Sequence, residues 1–273
     1  MRAMPLPSLD ISLEVVMAAY NDPEVLTLTL EGYRRQTDRN FSLCIADDGS
    51  EPEVAEVVAR YRCLGLNIRH VWHEDRGFRK AQIVNRAIEG SRADYIVLTD
   101  SDCVPMRHFI ADHRDWTRPG HMVAGRRVDT AEGLTARIKT GELSLASLEH
   151  PLWLLFQSLR GGLSRAEFGL HLPRWAARLW SRKSLALLGA NMGVWREHLM
   201  AVNGFDSDFE GYGAEEVDLE WRLIGWGVKQ RAMRGRGGLI HIHHHQRQAD
   251  AYVFHLLQHK QQAGEVVARN GIR

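Results

Sequence analysis

Four short apolar segments recur through the first hundred residues, and a stretch with helical periodicity separates each segment from the next. The apolar segments are residues 11–19, 41–46, 67–72 and 94–99, and the helical stretches are residues 26–35, 53–62 and 80–89. Strands that alternate with helices pair in parallel, because a parallel pair needs a long crossover connection. The pattern predicts an α/β fold in which helices flank a mostly parallel central sheet.

The overall charge argues against a nucleic-acid-binding protein. The chain has 273 residues, 44% of them hydrophobic, with 35 basic and 34 acidic side chains. This length lies within the range of a single α/β domain. A formal charge of +1 gives no basic surface of the kind that binds nucleic acid. Any partner that is recognised by charge must therefore be recognised locally.

The three cysteines, Cys44, Cys63 and Cys103, have neither an even number nor the spacing of zinc ligands. Thiols that stay reduced are typical of the cytosol. The first residues contain no apolar run of signal-peptide length, and no segment reaches the roughly 18 apolar residues of a membrane-spanning helix. We therefore expect a cytoplasmic protein.

Residues 143–183 have the most unusual composition in the chain. Aromatic and basic side chains are interspersed there, namely Trp153, Phe156, Phe168, Trp175, Trp180, Arg160, Arg165, Arg174, Arg178, Arg182 and Lys183. An amphipathic helical insertion packed on the core explains the pattern. A surface helix that lies in a membrane interface is the alternative, since Trp and Arg are favoured there, and the two interpretations are compatible. The sequence leaves both interpretations open.

Two carboxylates, Asp100 and Asp102, follow the fourth predicted strand with Ser101 between them. Alternate side chains at a strand end point the same way, so both carboxylates can reach one ligand. Mg²⁺ and Mn²⁺ prefer oxygen ligands and commonly bridge diphosphate oxygens. The triplet alone is weak, because many such sequences are solvated turns, but its place at a strand end favours a metal site.

Asp48 ends the second predicted strand and has two interpretations. A carboxylate there can accept the imide N–H of uracil, and it can also cap the helix that follows. Asn191 lies in the stretch 188–193, which by its residues is a buried strand that contains glycine. The residues alone favour base recognition for Asp48.

A second acidic cluster and a histidine cluster lie in the C-terminal half. Gly211 and Gly213 precede Glu215 and Glu216, which begin a predicted helix. A helix dipole stabilises acidic side chains in the first turn without any catalytic role, but it does not explain the glycine-aromatic-glycine sequence before them. Four histidines follow, any of which could complete a metal site begun by Asp102 or could be structural: His241, His243, His244 and His245.

The order of these motifs resembles family 2 of the glycosyltransferases with the GT-A fold, over about residues 11–245. The motifs are Ala19-Tyr20-Asn21, Asp47-Asp48-Gly49-Ser50, Asp100-Ser101-Asp102 and Glu215-Glu216. The region from Asn203-Gly204-Phe205-Asp206 to Glu215-Glu216 also resembles chondroitin-polymerase-type enzymes and animal galactosyltransferases. The resemblance implies one domain with a nucleotide-binding half (11–125), an acceptor and catalytic half (126–245) and a C-terminal helical tail (246–273).

The resemblance also implies a role for each matching residue. Glu216 is the expected catalytic base and Glu215 a neighbouring acid that contacts a substrate, although the family's usual pair is Glu-Asp. Asp102 is the expected metal ligand, with His241 and His244 as the best further ligands. The expected nucleotide-sugar contacts are Ala19, Tyr20, Asn21, Asp48, Arg79, Lys80, Asp100, Ser101 and Asn191.

The implied activity is inverting transfer of a hexose or N-acetylhexosamine from a UDP-sugar, with Mn²⁺ or Mg²⁺, to a hydroxyl of a glycan or lipid-linked acceptor. Polysaccharide biosynthesis is the expected setting. Two alternatives remain, a nucleotidyltransferase and a noncatalytic nucleotide-sugar-binding module. The first usually shows a glycine-rich loop after the first strand, where this chain has Ala19-Tyr20-Asn21-Asp22-Pro23. The second is supported by the Glu-Glu pair.

Overall fold

The computed structural model describes residues 11–209, 211–245 and 251–273. Its first half contains the elements β1 (Leu13–Ala19), α1 (Pro23–Arg34), β2 (Ser42–Asp47), α2 (Pro52–Cys63), β3 (Ile68–Trp72), α3 (Lys80–Glu89) and β4 (Tyr95–Asp100). These are the four strands and three helices that the sequence predicts, with ends that differ by three residues at most. The predicted order of elements is therefore confirmed.

The second half has shorter elements, which periodicity does not predict well. They are β5 (Cys103–Pro105), α4 (Phe109–Trp116), β6 (His121–Ala124), β7 (Val128–Thr130), α5 (Glu132–Lys139), α6 (Pro151–Leu159), β8 (Leu163–Ser164), α7 (Arg174–Trp180), β9 (Met192–Trp195), α8 (Arg196–Ala201), α9 (Glu215–Gly225), β10 (Lys229–Ala232), β11 (Leu239–His241) and α10 (Ala251–Gln262). Strands of three or four residues show no measurable alternation.

Seven strands form the central sheet in the order β10-β6-β9-β4-β1-β2-β3. Strands β1 to β4 pair in parallel, and only β9 runs antiparallel to its neighbours β4 and β6. A second sheet has the order β5-β11-β7-β8, in which β11 is antiparallel to β5 and parallel to β7. The predicted mostly parallel α/β architecture is confirmed.

The central strands are buried because their sequences are apolar on both faces. Of the seven residues of β1, six are buried, and five of the six in β4. Such strands suit a parallel sheet that helices cover on both sides. Helix α1 begins where Asp22 caps the backbone N–H of Val25 and Pro23 occupies the first turn. The loop after β1 is thus fixed by local sequence.

The segment 143–183 folds into α6 and α7, joined by β8 and a short 3-10 turn at Ala166–Gly169. Leu148, Leu154 and Leu163 pack in a core cluster with strands of the second sheet. Of the predicted helical tail, α10 is helical, residues 263–273 form turns and irregular structure, and residues 246–250 lie outside the described residues. Within the described ranges, no helix combines the length and apolarity needed to cross a membrane.

Candidate active site

The carboxyl ends of β4, β1 and β2 lie side by side and carry the predicted acidic motifs. The backbone N–H of Asp48 donates to the carbonyl of Ala19, and that of Ser101 donates to the carbonyl of Ala18, both at 2.9 Å. The residues after β2 and β4 therefore flank the end of β1. Ligands of doubly wound sheets bind at this edge.

Asp48 is buried, and both of its carboxylate oxygens have partners. His73 Nε2 lies 2.6 Å from one oxygen, and the backbone N–H of Arg79 donates to the other at 2.9 Å. Asp48 thus holds the loop that leads into α3, and it does not cap α2, whose N-cap has no side-chain hydrogen bond. Because a carboxylate has about four acceptor positions, capacity for a base N–H remains.

Three other predicted nucleotide contacts lie near this edge and are held by neighbouring loops. The Tyr20 hydroxyl donates to Asp75 at 2.9 Å, and Asn21 Oδ1 accepts from the backbone N–H of Glu51 at 2.8 Å. The side chain of Arg79 donates to a backbone carbonyl five residues earlier. Loops from β1, β2 and β3 are therefore tied together around the predicted nucleotide site.

The predicted metal ligands converge although they are distant in sequence. Strand β11 pairs antiparallel with β5, with His241 opposite Cys103, and this register brings His241 and His244 to Asp102. Asp102 Oδ2 lies 3.0 Å from His244 Nε2 and 3.4 Å from His241 Nε2, and the two Nε2 atoms are 3.2 Å apart. Three potential ligand atoms therefore face one point.

This spacing fits one small divalent cation. Adjacent ligands around an octahedral ion bound at about 2.1 Å are separated by about 3.0 Å. A set of one carboxylate and two imidazoles suits Mn²⁺ better than Mg²⁺, which prefers oxygen ligands. The neighbouring Cys103 is a poor ligand for such an ion, because burial raises the pKa of its thiol well above the ordinary value.

Asp129 supports the histidine side of this cluster. Strand β7 places it beside His241, and Asp129 Oδ1 lies 3.1 Å from His241 Nδ1. A carboxylate on the second ring nitrogen fixes the tautomer that leaves Nε2 free to bind a metal. Sequence reasoning missed Asp129, because a lone aspartate in a short strand carries no signal until the pairing of β7 with β11 is known.

The charges within the cluster are strongly coupled. Burial alone would raise the pKa of Asp102, but hydrogen bonds from His241 and His244 outweigh it and hold that pKa far below its ordinary value. Burial opposes protonation of His241, yet its bonds to Asp102 and Asp129 raise its pKa, and the bond to Asp102 raises that of His244. A metal that binds here must displace these protons.

The two glutamates at the start of α9 differ in their surroundings. Glu215 is buried, and burial together with the nearby charge of Glu216 raises its pKa to about 7. Its Oε2 has no hydrogen-bond partner within the described residues. Glu216 is partly exposed, with 21% of its side chain accessible, and its Oε1 lies 3.2 Å from Lys80 Nζ. Of the two, Glu216 is the carboxylate that a solvent-borne hydroxyl can reach.

Lys80 connects the two acidic motifs. Its Nζ lies 2.8 Å from Asp100 Oδ1 in addition to its contact with Glu216. Burial would lower the pKa of Lys80, but the charges of Asp100, Glu216 and Glu215 raise it well above the ordinary value. The predicted nucleotide contact at Lys80 is therefore, in this structure, an ion-pair bridge between the end of β4 and helix α9.

Helix α9 is anchored from its buried side. Arg222 donates to Asp218 at 2.7 Å and to the carbonyls of Val202 and Gly204 at 2.8 Å. Lys260 of α10 lies 2.7 Å from Asp206, which belongs to the segment between α8 and α9. These bonds fix the segment that carries Glu215 and Glu216, since breaking a buried ion pair leaves an uncompensated charge.

Asn191 is held by hydrogen bonds inside the protein. Its side chain is fully buried, its amide group donates to the carbonyls of Arg126 and Gly237, and its oxygen lies 3.0 Å from His113 Nε2. These bonds join helix α4 to two loops and give each polar atom of the side chain a protein partner. The contact between Asn191 and a donor sugar stays a prediction.

Gly189 lies beside Glu216, and the sequence did not single it out. Its lack of a side chain leaves room for the Glu216 carboxylate. A β-carbon at Gly189 would lie 2.0 Å from Glu216 Oε1. We expect Gly189→Ala to fold normally, because its backbone conformation is open to alanine, but to displace the Glu216 carboxylate and lower turnover at least about tenfold. Gly133→Ala, which meets no atom within 4 Å, is the matched control. Unchanged turnover in Gly189→Ala would contradict this role for Gly189.

The strand order, the paired acidic motifs at the carboxyl edge and the acidic helix α9 define the GT-A fold. The chain belongs to glycosyl transferase family 2, whose sequence profile matches residues 14–157. A second profile, described as the N-terminal domain of galactosyltransferase, matches residues 168–245. The two resemblances that the motifs indicated are confirmed.

Proteins similar to this chain include a glucosyltransferase and a chondroitin synthase, both from bacteria. The chain is similar to validoxylamine A glucosyltransferase of Streptomyces hygroscopicus subsp. jinggangensis (strain 5008), with 28% identity over 260 residues, covering 87% of this chain and 57% of that protein. It is similar to chondroitin synthase of Escherichia coli, with 24% identity over 237 residues, covering 82% of this chain and 34% of that protein. The chain thus spans about half the length or less of these curated relatives.

Solved structures share the fold at low sequence identity. A mannosyltransferase of Pyrobaculum calidifontis in complex with GDP-Man and Mn²⁺ has a TM-score of 0.61 and 19% identity, covering 96% of this chain and 66% of that chain. Residues 1–349 of TarS from S. aureus give a TM-score of 0.63 and 12% identity, covering 95% of this chain and 66% of that chain. At these identities the likeness establishes the fold alone.

Proposed function

We propose that this chain is a metal-dependent, inverting glycosyltransferase that uses a UDP-sugar. The donated residue is a hexose or an N-acetylhexosamine, and the acceptor is a hydroxyl of a glycan or lipid-linked sugar in polysaccharide biosynthesis. The observation that carries the proposal is the meeting of two groups at one sheet edge. The Asp102–His241–His244 cluster and the accessible carboxylate of Glu216 are joined there through Asp100 and Lys80.

Glu216 acts in this proposal as the general base. The acceptor hydroxyl gives its proton to the Glu216 carboxylate while its oxygen forms a bond to the anomeric carbon, and the bond from that carbon to the diphosphate breaks with its electron pair on UDP. A single displacement of this kind inverts the anomeric configuration. Lys80 positions the Glu216 carboxylate through the 3.2 Å contact between Lys80 Nζ and Glu216 Oε1.

A divalent cation held by Asp102, His241 and His244 would supply charge neutralisation for the departing diphosphate. Asp48 contributes selectivity for the base. Held by His73 and Arg79, its carboxylate accepts an imide N–H and repels a ring nitrogen with a lone pair. Uracil satisfies this requirement, and cytosine does not. Guanine also carries an N–H donor, so competition by GDP-mannose tests whether the site distinguishes uracil from guanine.

We further propose that the chain acts in the cytoplasm and contacts the inner face of the membrane. All three cysteines are free, two of them buried, which agrees with a reducing compartment. A lipid-linked acceptor would place the reaction next to a bilayer.

The test is release of nucleoside diphosphate from a panel of UDP-sugars, with GDP-mannose as competitor, in the presence of Mn²⁺, Mg²⁺ or EDTA. We expect hydrolysis of one UDP-sugar with Mn²⁺ and its loss with EDTA, which would also identify the sugar. If hydrolysis is slow without an acceptor, Mn²⁺-dependent binding of UDP measured by calorimetry serves as the readout. Failure to bind UDP with either metal would overturn the proposal.

A further inference from the structure

Helix α6 has apolar side chains on opposite sides. Its inner side contributes Leu154, which is buried in the core cluster with Leu148 and Leu163. Its outer side presents four large apolar side chains that are 50% to 79% exposed: Leu152, Leu155, Phe156 and Leu159. Their spacing of three, one and three residues places them on one face of the helix. A contiguous exposed apolar face of this kind marks a contact with another apolar phase or molecule.

Helix α7 carries two further exposed apolar side chains. Trp175 and Leu179 are 73% and 59% exposed. Trp180 stacks on Phe168, with ring centroids 5.8 Å apart, and Phe168 belongs to the 3-10 turn that packs against α6. The two helices therefore flank the same turn. The indole ring of tryptophan is favoured at the boundary between lipid and water, so the exposed Trp175 suits such a boundary.

Basic side chains are concentrated in the segment that carries these apolar faces. The segment 143–183 contains six basic and two acidic side chains, whereas the whole chain is nearly neutral. Of the two acids, Glu149 is paired with Arg35. Arg160 lies over the ring of Phe156, with 5.1 Å between its guanidinium carbon and the ring centroid. Arg165 and Arg174 pair with carboxylates, and the exposed basic residues that remain within the segment are Arg160, Arg178, Arg182 and Lys183.

We propose that the outer face of α6, together with Trp175, Leu179 and these basic residues, docks on an anionic lipid bilayer. The apolar side chains would enter the boundary between headgroups and acyl chains, and the arginines and Lys183 would face anionic headgroups. The positive charge of these basic residues favours an anionic bilayer over a second copy of the chain. A second copy of the chain in a two-fold contact would bring the same basic residues together, and their repulsion opposes self-association.

The surface is built on the sheet that carries the candidate metal ligands. Strand β8, between α6 and α7, pairs with β7, and β7 pairs with β11, which ends at His241. Arg165 next to β8 lies 3.3 Å from Asp129, the partner of His241. Docking would therefore fix the active-site sheet relative to the bilayer. The benefit for a lipid-linked acceptor rests on the proposed function, whereas bilayer binding itself does not.

The test is sedimentation of the full chain with phosphatidylcholine vesicles that contain or lack phosphatidylglycerol. We expect binding to the anionic vesicles that high salt weakens, and little binding to neutral ones. The double variant Leu155→Ser/Leu159→Ser should bind at least about tenfold more weakly. So should Arg178→Gln/Arg182→Gln on the anionic vesicles. Leu64→Ser, which changes an exposed leucine at the end of α2, is the matched control and should bind like wild type.

Three outcomes would overturn the inference. They are no binding of the wild-type chain to anionic vesicles, equal binding of wild type and the Leu155→Ser/Leu159→Ser variant, and a dimer in solution that this variant dissociates while vesicles are not bound. Mn²⁺-dependent UDP binding is measured on the same preparations. Its presence without vesicle binding rejects only the docking surface, and vesicle binding without UDP binding rejects only the proposed function.

Discussion

Turnover of the Glu216→Gln variant is expected to fall by about 10²- to 10⁴-fold, with UDP binding almost unchanged. Glutamine keeps the size of the side chain and removes the group that accepts the acceptor's proton. Glu216 is the accessible member of the pair at the start of α9, and its carboxylate contacts Lys80 and lies against the backbone of Gly189. The measurement is steady-state kcat with the active UDP-sugar, alongside calorimetric titration with UDP and Mn²⁺.

A surface glutamate provides the control for this change. Glu197 has a side chain that is 74% exposed, so Glu197→Gln applies the same chemical change outside the site and should retain wild-type turnover. Glu215→Gln distinguishes the two glutamates at the start of α9. A deeper loss in Glu215→Gln than in Glu216→Gln would transfer the base role to Glu215, and full activity in Glu216→Gln would exclude it as the base.

The second large effect is expected from His241→Ala, which should weaken Mn²⁺ binding by more than about 100-fold and lower kcat in proportion at limiting metal. The variant removes one of three converging ligand atoms and leaves Asp129 without its histidine partner. Mn²⁺ binding is measured by calorimetry or electron paramagnetic resonance. Slightly alkaline buffer is required, because the raised pKa values of His241 and His244 let protons compete with the metal near neutral pH.

His243→Ala is the matched control for the metal experiment. His243 belongs to the same run of histidines, its ring is exposed, and it is not part of the converging cluster among the described residues. We expect His243→Ala to bind Mn²⁺ as wild type does. Equal losses in His241→Ala and His243→Ala would show that the histidine run binds metal nonspecifically and would remove the support for the cluster.

Carboxylates that are neighbours in the sequence have different partners in the structure. Asp100 and Asp102 are separated by one residue, yet Asp100 pairs with Lys80 and Asp102 contacts the two histidines. The same holds for Glu215 and Glu216, of which one is buried and the other accessible. Neighbouring carboxylates make different contacts because their partners come from different strands and helices. Sequence spacing shows that such groups are near one another. It does not show which partner each group contacts.

The partners of buried polar residues are not visible in the sequence pattern. The resemblance makes Asn191 a candidate contact for the donor sugar. In the fold its amide joins two loops to helix α4. Asp129 had no candidate role and orients His241. The hydrogen-bond partners of a polar side chain belong to distant segments, so a pattern along the chain does not identify them.

By itself, the sequence determined the alternating strands and helices of residues 11–100 and placed the acidic motifs at strand ends, because short apolar runs, helical patterns and turn residues act over a few residues. Only the tertiary structure decided the site. His241 and Asp129 are 112 residues apart, and the pairing of β11 with both β5 and β7 brings them together beside Asp102. That register is set by packing between short strands from separate parts of the chain, and strands of three residues carry too little pattern to specify it.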